Sequence, residues 1–391
     1  MRPLDGLSVL DLSRLVAGGM LTTVLADFGA EVVKVEQPKT GDPLRAWTKE
    51  GAPLWWQVYA RNKKSITCDL STAAGQGLCR RLAERADVLV ESFIPGTLER
   101  WGLGPDAMLQ ASPNLVMIRI SGWGQDGPYA ARPGFGTLVE AASGFAALTG
   151  FPDRPPVLPP IPLADMVAAL YGVSAALIAL RVREQVGGQV IDLSLFEPLF
   201  SILGPQAAEY VRFGTIRPRI GNLSHNAAPR NTYASADGRW FAVSASTQAM
   251  TERLFAALGL HRLIADPRFA SNAARLRHRE ELDELVAAEF ARRPAAELVE
   301  TFRSRGVTAM PVYDVGQILA DPHFVHRGVV VTVPDESGQP VAMHPVIPRM
   351  SATPGTIEHV GPPLGAHNRE VYGRLGISAA ELGALEEAGV I

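Results

Sequence analysis

The sequence predicts an α/β protein: a large domain on a mostly parallel, Rossmann-like sheet, plus a smaller α+β domain. Three observations carry this. Short β-branched runs alternate with helical stretches through the first two hundred residues, the rhythm of βαβ units. The texture then changes at 216–235, where Pro218, Gly221, Asn222, Pro229 and Asn231 interrupt any periodicity. At 391 residues, the chain also exceeds the usual domain size of roughly 100–150 residues.

In order, 7–12 reads as a strand, 18–28 as a helix and 31–35 as the next strand. Strands at 65–68, 87–90 and 115–120 continue the series, with helices such as 73–84 between them. A long apolar helix is expected over 165–184 and a strand over 188–193. Ligands of such sheets bind at the carboxyl ends of strands, which points to the loops after Asp11, Val35 and Glu91. Beyond the linker, 238–243 reads as a strand after an Asp-Gly turn, and 249–258, 277–290 and 295–305 as helices. Residues 329–333 and 341–343 flank a turn and read as a hairpin. The last helix has a capping box in Ser378 and Glu381, with Ile377 and Leu382 placed as its hydrophobic staple.

Composition excludes several classes. Hydrophobic residues at 47% and charged residues at 20% describe a soluble globular chain. The formal charge of -3 leaves no basic excess for nucleic acid. The densest local positive run, Arg61-Asn62-Lys63-Lys64, fits either an anion site or a solvated loop. Cys68 and Cys79 form no CxxC pair and read as buried, inert thiols. Asp5, Asp11 and Arg14 break any signal-peptide core, and the longest apolar run, 166–180, falls short of the ~20 residues of a membrane span. A cytoplasmic protein without membrane association is expected.

One motif misleads. Gly122-Trp123-Gly124-Gln125-Asp126-Gly127 matches GxGxxG after a predicted strand, with Glu140 downstream. A dinucleotide fingerprint must open a helix, however, and here Pro128 and Pro133-Gly134 make a turn-rich loop. No GxxxxGK[ST], HExxH or GxSxG occurs, and all eight histidines lie at or beyond His225 without metal-ligand spacing. Acid-base work in the large domain must therefore use carboxylates, Lys, Tyr or backbone groups.

Asp165 stands between a Pro-rich segment and the long apolar helix. Locally it reads as a helix N-cap. The same position suits a nucleophile, because a helix N-terminus orients a carboxylate and favours its charged form.

The chain resembles the family III CoA-transferases, which include formyl-CoA transferase, carnitine CoA-transferase and α-methylacyl-CoA racemase. The resemblance runs through PLDGLSVLDL at 3–12, GAEVVKVE at 29–36, RNKKS at 61–65, DVLVESF at 87–93 and SGWGQDGPY at 121–129, in order and along essentially the whole chain. It implies that Asp165 is the catalytic residue. It implies CoA contacts at Leu15, Val16, Lys63, Ser92, Phe93 and Arg100, with Lys63 and Arg100 at phosphates and Phe93 against adenine or pantetheine. Gln37 and Ser92 depart from the arginine and asparagine of formyl-CoA transferase. Family racemases use a histidine where this chain has Phe135, which cannot exchange a proton; transfer is thus favoured over racemisation. A catalytically inactive acyl-CoA-binding protein is the remaining alternative.

The implied reaction passes through aspartyl anhydride and aspartyl-CoA thioester intermediates, with coenzyme A and acyl-CoA as substrates and neither a tightly bound cofactor nor a metal. Backbone amides from Gly134 to Thr137 are oxyanion candidates, and Phe135, Gly136 and Thr137 are the substrate or oxyanion residues. A small-domain loop including Gln248 is expected to approach the site. Residues 133–150 and 228–233 resemble members that pair succinyl-CoA donors with mesaconate, citramalate, malate or itaconate, and Arg230 is a candidate for the second carboxylate, or else binds a loop carbonyl. The resemblance also implies an interlocked, ring-like homodimer. The expected divisions are a large domain at 1–200, a linker at 201–225, a small domain at 226–320, a linker at 321–335 and a return to the large domain at 336–391.

Overall fold

The computed structural model describes residues 2–391. Two compact units are present. The first comprises the chain up to Phe145, Leu158–Ala208 and Gly328–Ile391; the second comprises Ala146–Val157 and Glu209–Arg327. The expectation of one uninterrupted segment over 1–200 differs from this division. Residues 146–157 join the second unit because Arg219 donates to the carbonyls of Phe151 and Arg154, and the Gly221 amide donates to Gly150.

The first unit is built on a six-stranded, all-parallel sheet: β1 (Ser8–Asp11), β2 (Glu31–Glu36), β3 (Lys63–Thr67), β4 (Val88–Glu91), β5 (Val116–Ser121) and β6 (Gln189–Ser194). Their order is β3-β2-β1-β4-β5-β6. Chain direction across the sheet reverses between β1 and β4, which opens a crevice at the carboxyl ends of those strands. Hydrophobic side chains cover both faces, so the central strands are buried on both sides.

Helix α1 (Ala17–Asp27) and the shorter α2 (Gly136–Ala142) lie on the same side as the long α3 (Leu163–Val186). At 24 residues α3 outruns the apolar stretch read from the sequence and is long and apolar enough to cross a bilayer on those criteria alone. Its buried stripe is made of small residues, Ala164, Ala168, Ala169, Gly172, Ala176 and Ala179. A Cβ on Gly172 would come within 2.3 Å of Leu21 on α1, so the two helices meet at near-backbone distance.

The C-terminal segment closes the first unit. Tyr372 Oη donates to the Thr67 carbonyl, the Asn368 side chain brackets Thr67, and Val390 and Ile391 enter the core. The hairpin appears as β10 (Val331–Pro334) and β11 (Pro340–Met343). The capping box of Ser378 and Glu381 forms at the last helix, Ala379–Glu387.

In the second unit, β7 (Arg230–Ala234), β8 (Trp240–Ser244) and β9 (Ala309–Pro311) form an antiparallel sheet over a core that includes Phe241, Phe255, Phe290 and Phe302. β7 lies at the start of the expected small domain, in the 216–235 stretch that shows no periodicity in the sequence. Its Arg-Asn-Thr-Tyr-Ala composition carries little β signal, and pairing with β8 makes it a strand. Likewise the stretches 201–225 and 321–335, expected as linkers, contain the helices Gln206–Phe213 and Pro322–Arg327, and the second also contains β10.

Candidate active site

A cavity of about 1040 Å³ occupies the crevice at the carboxyl ends of the strands. Its walls come from the loop after β1 (Leu12 to Leu15), the loop after β2 (Glu36 to Pro43), the loop after β4 (Ser92 to Pro95) and the segment 132–135; Asp165 lies among its lining residues. The loops after Asp11, Val35 and Glu91 thus line the cavity.

Asp165 is the third residue of α3, behind Pro162, rather than the N-cap. The helix begins earlier than expected because proline is tolerated at a helix start, where its missing amide costs nothing. Placed in the first turn, the carboxylate meets its own amide and that of Ala17. Gly136, at the start of α2, permits this placement: a Cβ there would stand 2.2 Å from Asp165 Oδ2. Glu140, one turn along α2, is buried and accepts the Ala164 amide at 3.2 Å, satisfying a first-turn donor of α3.

The carboxylate is more basic than the sequence expectation of a dipole-stabilised charge at the helix start implies. Burial pushes the Asp165 carboxyl up to about 6; the two amides pull against it, and the neighbouring charge of Glu140 adds to the rise. No cation pairs with it among the described residues. At neutral pH it is still mostly ionised, and it is more basic than an ordinary carboxylate, the condition of an activated nucleophile.

Behind the wall lies a second, opposite arrangement. Asp11, Lys34, Asp42 and Lys63 are all buried. Lys34 Nζ is 3.5 Å from Asp11 and 3.0 Å from Asp42, and it donates to the Ser13 carbonyl. Lys63 Nζ reaches Asp11 at 3.2 Å, the Gly19 carbonyl at 2.7 Å and Thr22 Oγ1 at 2.7 Å. Burial pushes the Asp11 carboxyl up, but the two ammonium groups and the hydroxyls of Ser13 and Thr22 outweigh it and hold it at about 2.

The remaining expected residues separate clearly. Leu15, Ser92 and Phe93 line the cavity, and Phe93 packs edge-on against Trp101 at 5.2 Å. Gln37 lines it too. Val16 is off the wall, in the core beside Leu44 and Trp56. Lys63 is not at a phosphate position: its ammonium is spent inside the protein, because β3 carries it inward toward Asp11. Arg100 is exposed, bonded to Thr97, and outside the lining. Phe135 lines the cavity at 61% exposure, while exposed Thr137 and buried Gly136 do not. Among the described residues the lining contains no histidine.

In the second unit, Arg230 donates to the carbonyls of Asn222 and Leu223, the loop-binding reading, and lines a separate cavity of about 690 Å³. Gln248 is held by Glu252 and by the buried Arg275. Cys68 and Cys79 are buried free thiols, and burial pushes Cys68 up to about 12. The GxGxxG segment is a loop. Gly122 lies against Gly134, where a Cβ would come within 2.5 Å, so its small residues serve backbone approach.

Two cations escaped sequence reasoning. Arg14 and Arg132 are the only Lys or Arg among the described lining residues, both without a carboxylate partner; Arg132 stacks on Tyr129 at 3.7 Å. Arg14 could have been found from its place just after β1, at the reversal point of the sheet.

Known proteins similar to this chain in sequence and fold agree with one another. The profile of CoA-transferase family III matches residues 4–368. Succinyl-CoA–D-citramalate CoA-transferase of Chloroflexus aurantiacus is 45% identical, over all of this chain and 98% of its own length. Succinate–glutarate CoA-transferase of Agrobacterium fabrum is 34% identical, over 95% of this chain and 96% of its own. The crystal structure of a CAIB/BAIF family protein from Brucella suis superposes with a TM-score of 0.85 and 34% identity, covering 96% of this chain and 99% of that one. The chain that builds this cavity at the reversal point of its sheet therefore belongs to CoA-transferase family III and is a CoA-transferase.

Proposed function

We propose that the protein transfers CoA from succinyl-CoA to a small dicarboxylic acid, with Asp165 as the covalent nucleophile. The observation that carries this is the unpaired, half-buried Asp165 carboxylate on the cavity wall, pressed against Gly136. The named activities of the Chloroflexus and Agrobacterium relatives support the donor and the acceptor class. The absence of a histidine from the described lining, with Phe135 in its place, removes the second base that racemisation needs.

In this reading Asp165 attacks the thioester carbonyl, giving a mixed anhydride and CoA thiolate. The thiolate attacks the aspartyl carbonyl, releasing the donor acid and leaving an aspartyl-CoA thioester. The acceptor carboxylate attacks that thioester, forming a second anhydride and freeing thiolate again. Thiolate then takes the acyl group and Asp165 is regenerated. First-turn amides of α2, at Gly136 and Thr137, have no intrahelical acceptor; both residues lie outside the cavity lining, but Gly136 is against Asp165, and its amide is the oxyanion donor of this reading. Arg14 is assigned to a CoA phosphate and Arg132 to the acceptor's distal carboxylate, both as planar, two-pronged donors.

The same reading includes a homodimer. α3 exposes Leu170, Tyr171, Leu177 and Ile178, an apolar face that a second copy would cover. Light scattering on the purified chain tests this: a monomer at micromolar concentration would exclude an obligate, interlocked pair.

The test of function is exchange. Purified protein is mixed with succinyl-CoA and a panel of mono- and dicarboxylic acids, and new acyl-CoA species are resolved by mass. Wild type should form them with dicarboxylates, and Asp165→Ala should lose at least about 10³-fold in rate. Undiminished exchange by Asp165→Ala would overturn the assignment, and exchange confined to monocarboxylates would overturn the acceptor class.

A further inference from the structure

The loop between β1 and α1 is held residue by residue. Ser13 donates its amide and hydroxyl to Asp11 Oδ1, at 3.0 and 2.5 Å. The Arg14 amide donates to Ser92 Oγ at 2.8 Å, and the Leu15 amide to Asp42 Oδ1 at 3.1 Å. Leu15 has φ 62, a left-handed conformation that a leucine adopts only under constraint. Two residues later the Ala17 amide meets the Asp165 carboxylate. The strained turn thus lies between a buried charge cluster and the reacting group.

One side chain joins the anchors. Lys34 binds Asp11 and Asp42, which hold the amides of Ser13 and Leu15, and it also binds the Ser13 carbonyl. Asp42 is fixed in turn by its amide to Glu36 and by accepting from Leu44, and Glu36 is paired with Arg45 and Ser65. The cluster is balanced, two ammonium groups against two carboxylates. Loss of Lys34 leaves two buried carboxylates facing a single lysine, and the loop loses its common tether.

We propose that Lys34 is a positioning residue for CoA transfer: by binding Asp11, Asp42 and the Ser13 carbonyl together, it holds the left-handed turn at Leu15 that presents the Ala17 amide to Asp165 and Arg14 to the thioester cavity. Lys34 itself does not line the cavity. The proposal rests on Asp165 being the nucleophile.

Asp165 is faced by the Ala17 amide from α1, by Gly136 and by the Glu140 carboxylate from α2. A slackened loop removes the one donor supplied from α1. The carboxylate then takes up protons more readily, and the acid limb of kcat moves to higher pH. A general loss of stability would lower the amount of active enzyme without moving that limb.

The experiment compares full-length wild type, Lys34→Met, Asp42→Asn and Asp165→Ala in exchange of succinyl-CoA with a dicarboxylic acid, from pH 5 to 8, with thermal melts of each. Lys34→Met should lower kcat about ten- to a hundredfold, as expected for a displaced reacting geometry. It should also raise the KM for succinyl-CoA several-fold and move the acid limb upward. Asp42→Asn, which keeps its shape and leaves Lys34 in place, should move all three in the same direction by less. Wild-type KM and acid limb in the folded variants overturn the proposal, and Asp42→Asn alone decides if Lys34→Met does not fold. Exchange surviving in Asp165→Ala overturns the nucleophile on which the proposal stands; silence there with wild-type behaviour in the other two overturns only the positioning role.

Discussion

Two buried acidic regions flank the same cavity, and their electrostatics are opposite. Behind the wall, Asp11 is held at about 2 because Lys34, Lys63 and two hydroxyls outweigh burial. On the wall, Asp165 is pushed up to about 6, because burial and Glu140 act on it with only backbone amides in opposition. The difference is one of partners rather than depth. A carboxylate given two ammonium groups becomes a structural anchor; a carboxylate given amides and a like charge stays basic and reactive. The first region binds the loop between β1 and α1, and the second accepts the Ala17 amide that follows that loop.

The contrast breaks most sharply at the contact that keeps Asp165 in place. Gly136→Ala puts a Cβ where Asp165 Oδ2 now stands, 2.2 Å away, so the carboxylate must turn out of its amides. A fall of about 10²-fold in kcat is expected, with the fold retained by thermal melt. An unchanged rate would mean that the glycine contact has no part in placing the proposed nucleophile.

A smaller effect sharpens the comparison through stability. A carboxylate whose folded pKa is raised from 3.8 to about 6 makes the native state bind more protons than the unfolded one in that window. Stability is therefore lost as pH rises from about 4 through about 6, and above it the cost is about 3 kcal/mol at most. Asp165→Asn should raise the unfolding free energy at pH 7 by about 1–3 kcal/mol while abolishing transfer. Asp11→Asn, by contrast, removes a compensated charge and should destabilise. Equal signs for the two would refute the contrast.

The smallest effect isolates Glu140. Glu140→Gln keeps an oxygen for the Ala164 amide and removes the like charge, so the acid limb of kcat should move to lower pH. A pH–rate profile that stays in place would leave burial as the whole cause of the raised Asp165 value.

Much of this molecule is legible in its sequence. The β-branched runs gave the positions of all six parallel strands, since the central strands, buried on both faces, announce themselves by composition and the edge strand β6 still carries Val190, Ile191 and Leu193. The turn-rich loop at Gly122 was separable from a dinucleotide site by its prolines, and the Ser378–Glu381 box marked the last helix, because these signals act over a few residues. β7 was not legible, since its polar run becomes a strand only beside β8.

Sequence alone therefore determined the sheet and the long apolar helix, which rest on local periodicity, and singled out Asp165, which read locally as a cap and as a nucleophile only through the family resemblance. The tertiary structure decided what each charge does. Lys63, which the resemblance placed at a phosphate, is turned inward by β3 onto Asp11, and Lys34, unremarkable in sequence, ties Asp11, Asp42 and the Ser13 carbonyl together. Asp165 owes its basicity to burial and to Glu140, 25 positions away, against the opposing amide of Ala17, 148 positions away. A side chain's charge is written in the sequence, but its partners and its access to water are fixed only when distant elements meet at the reversal point of the sheet.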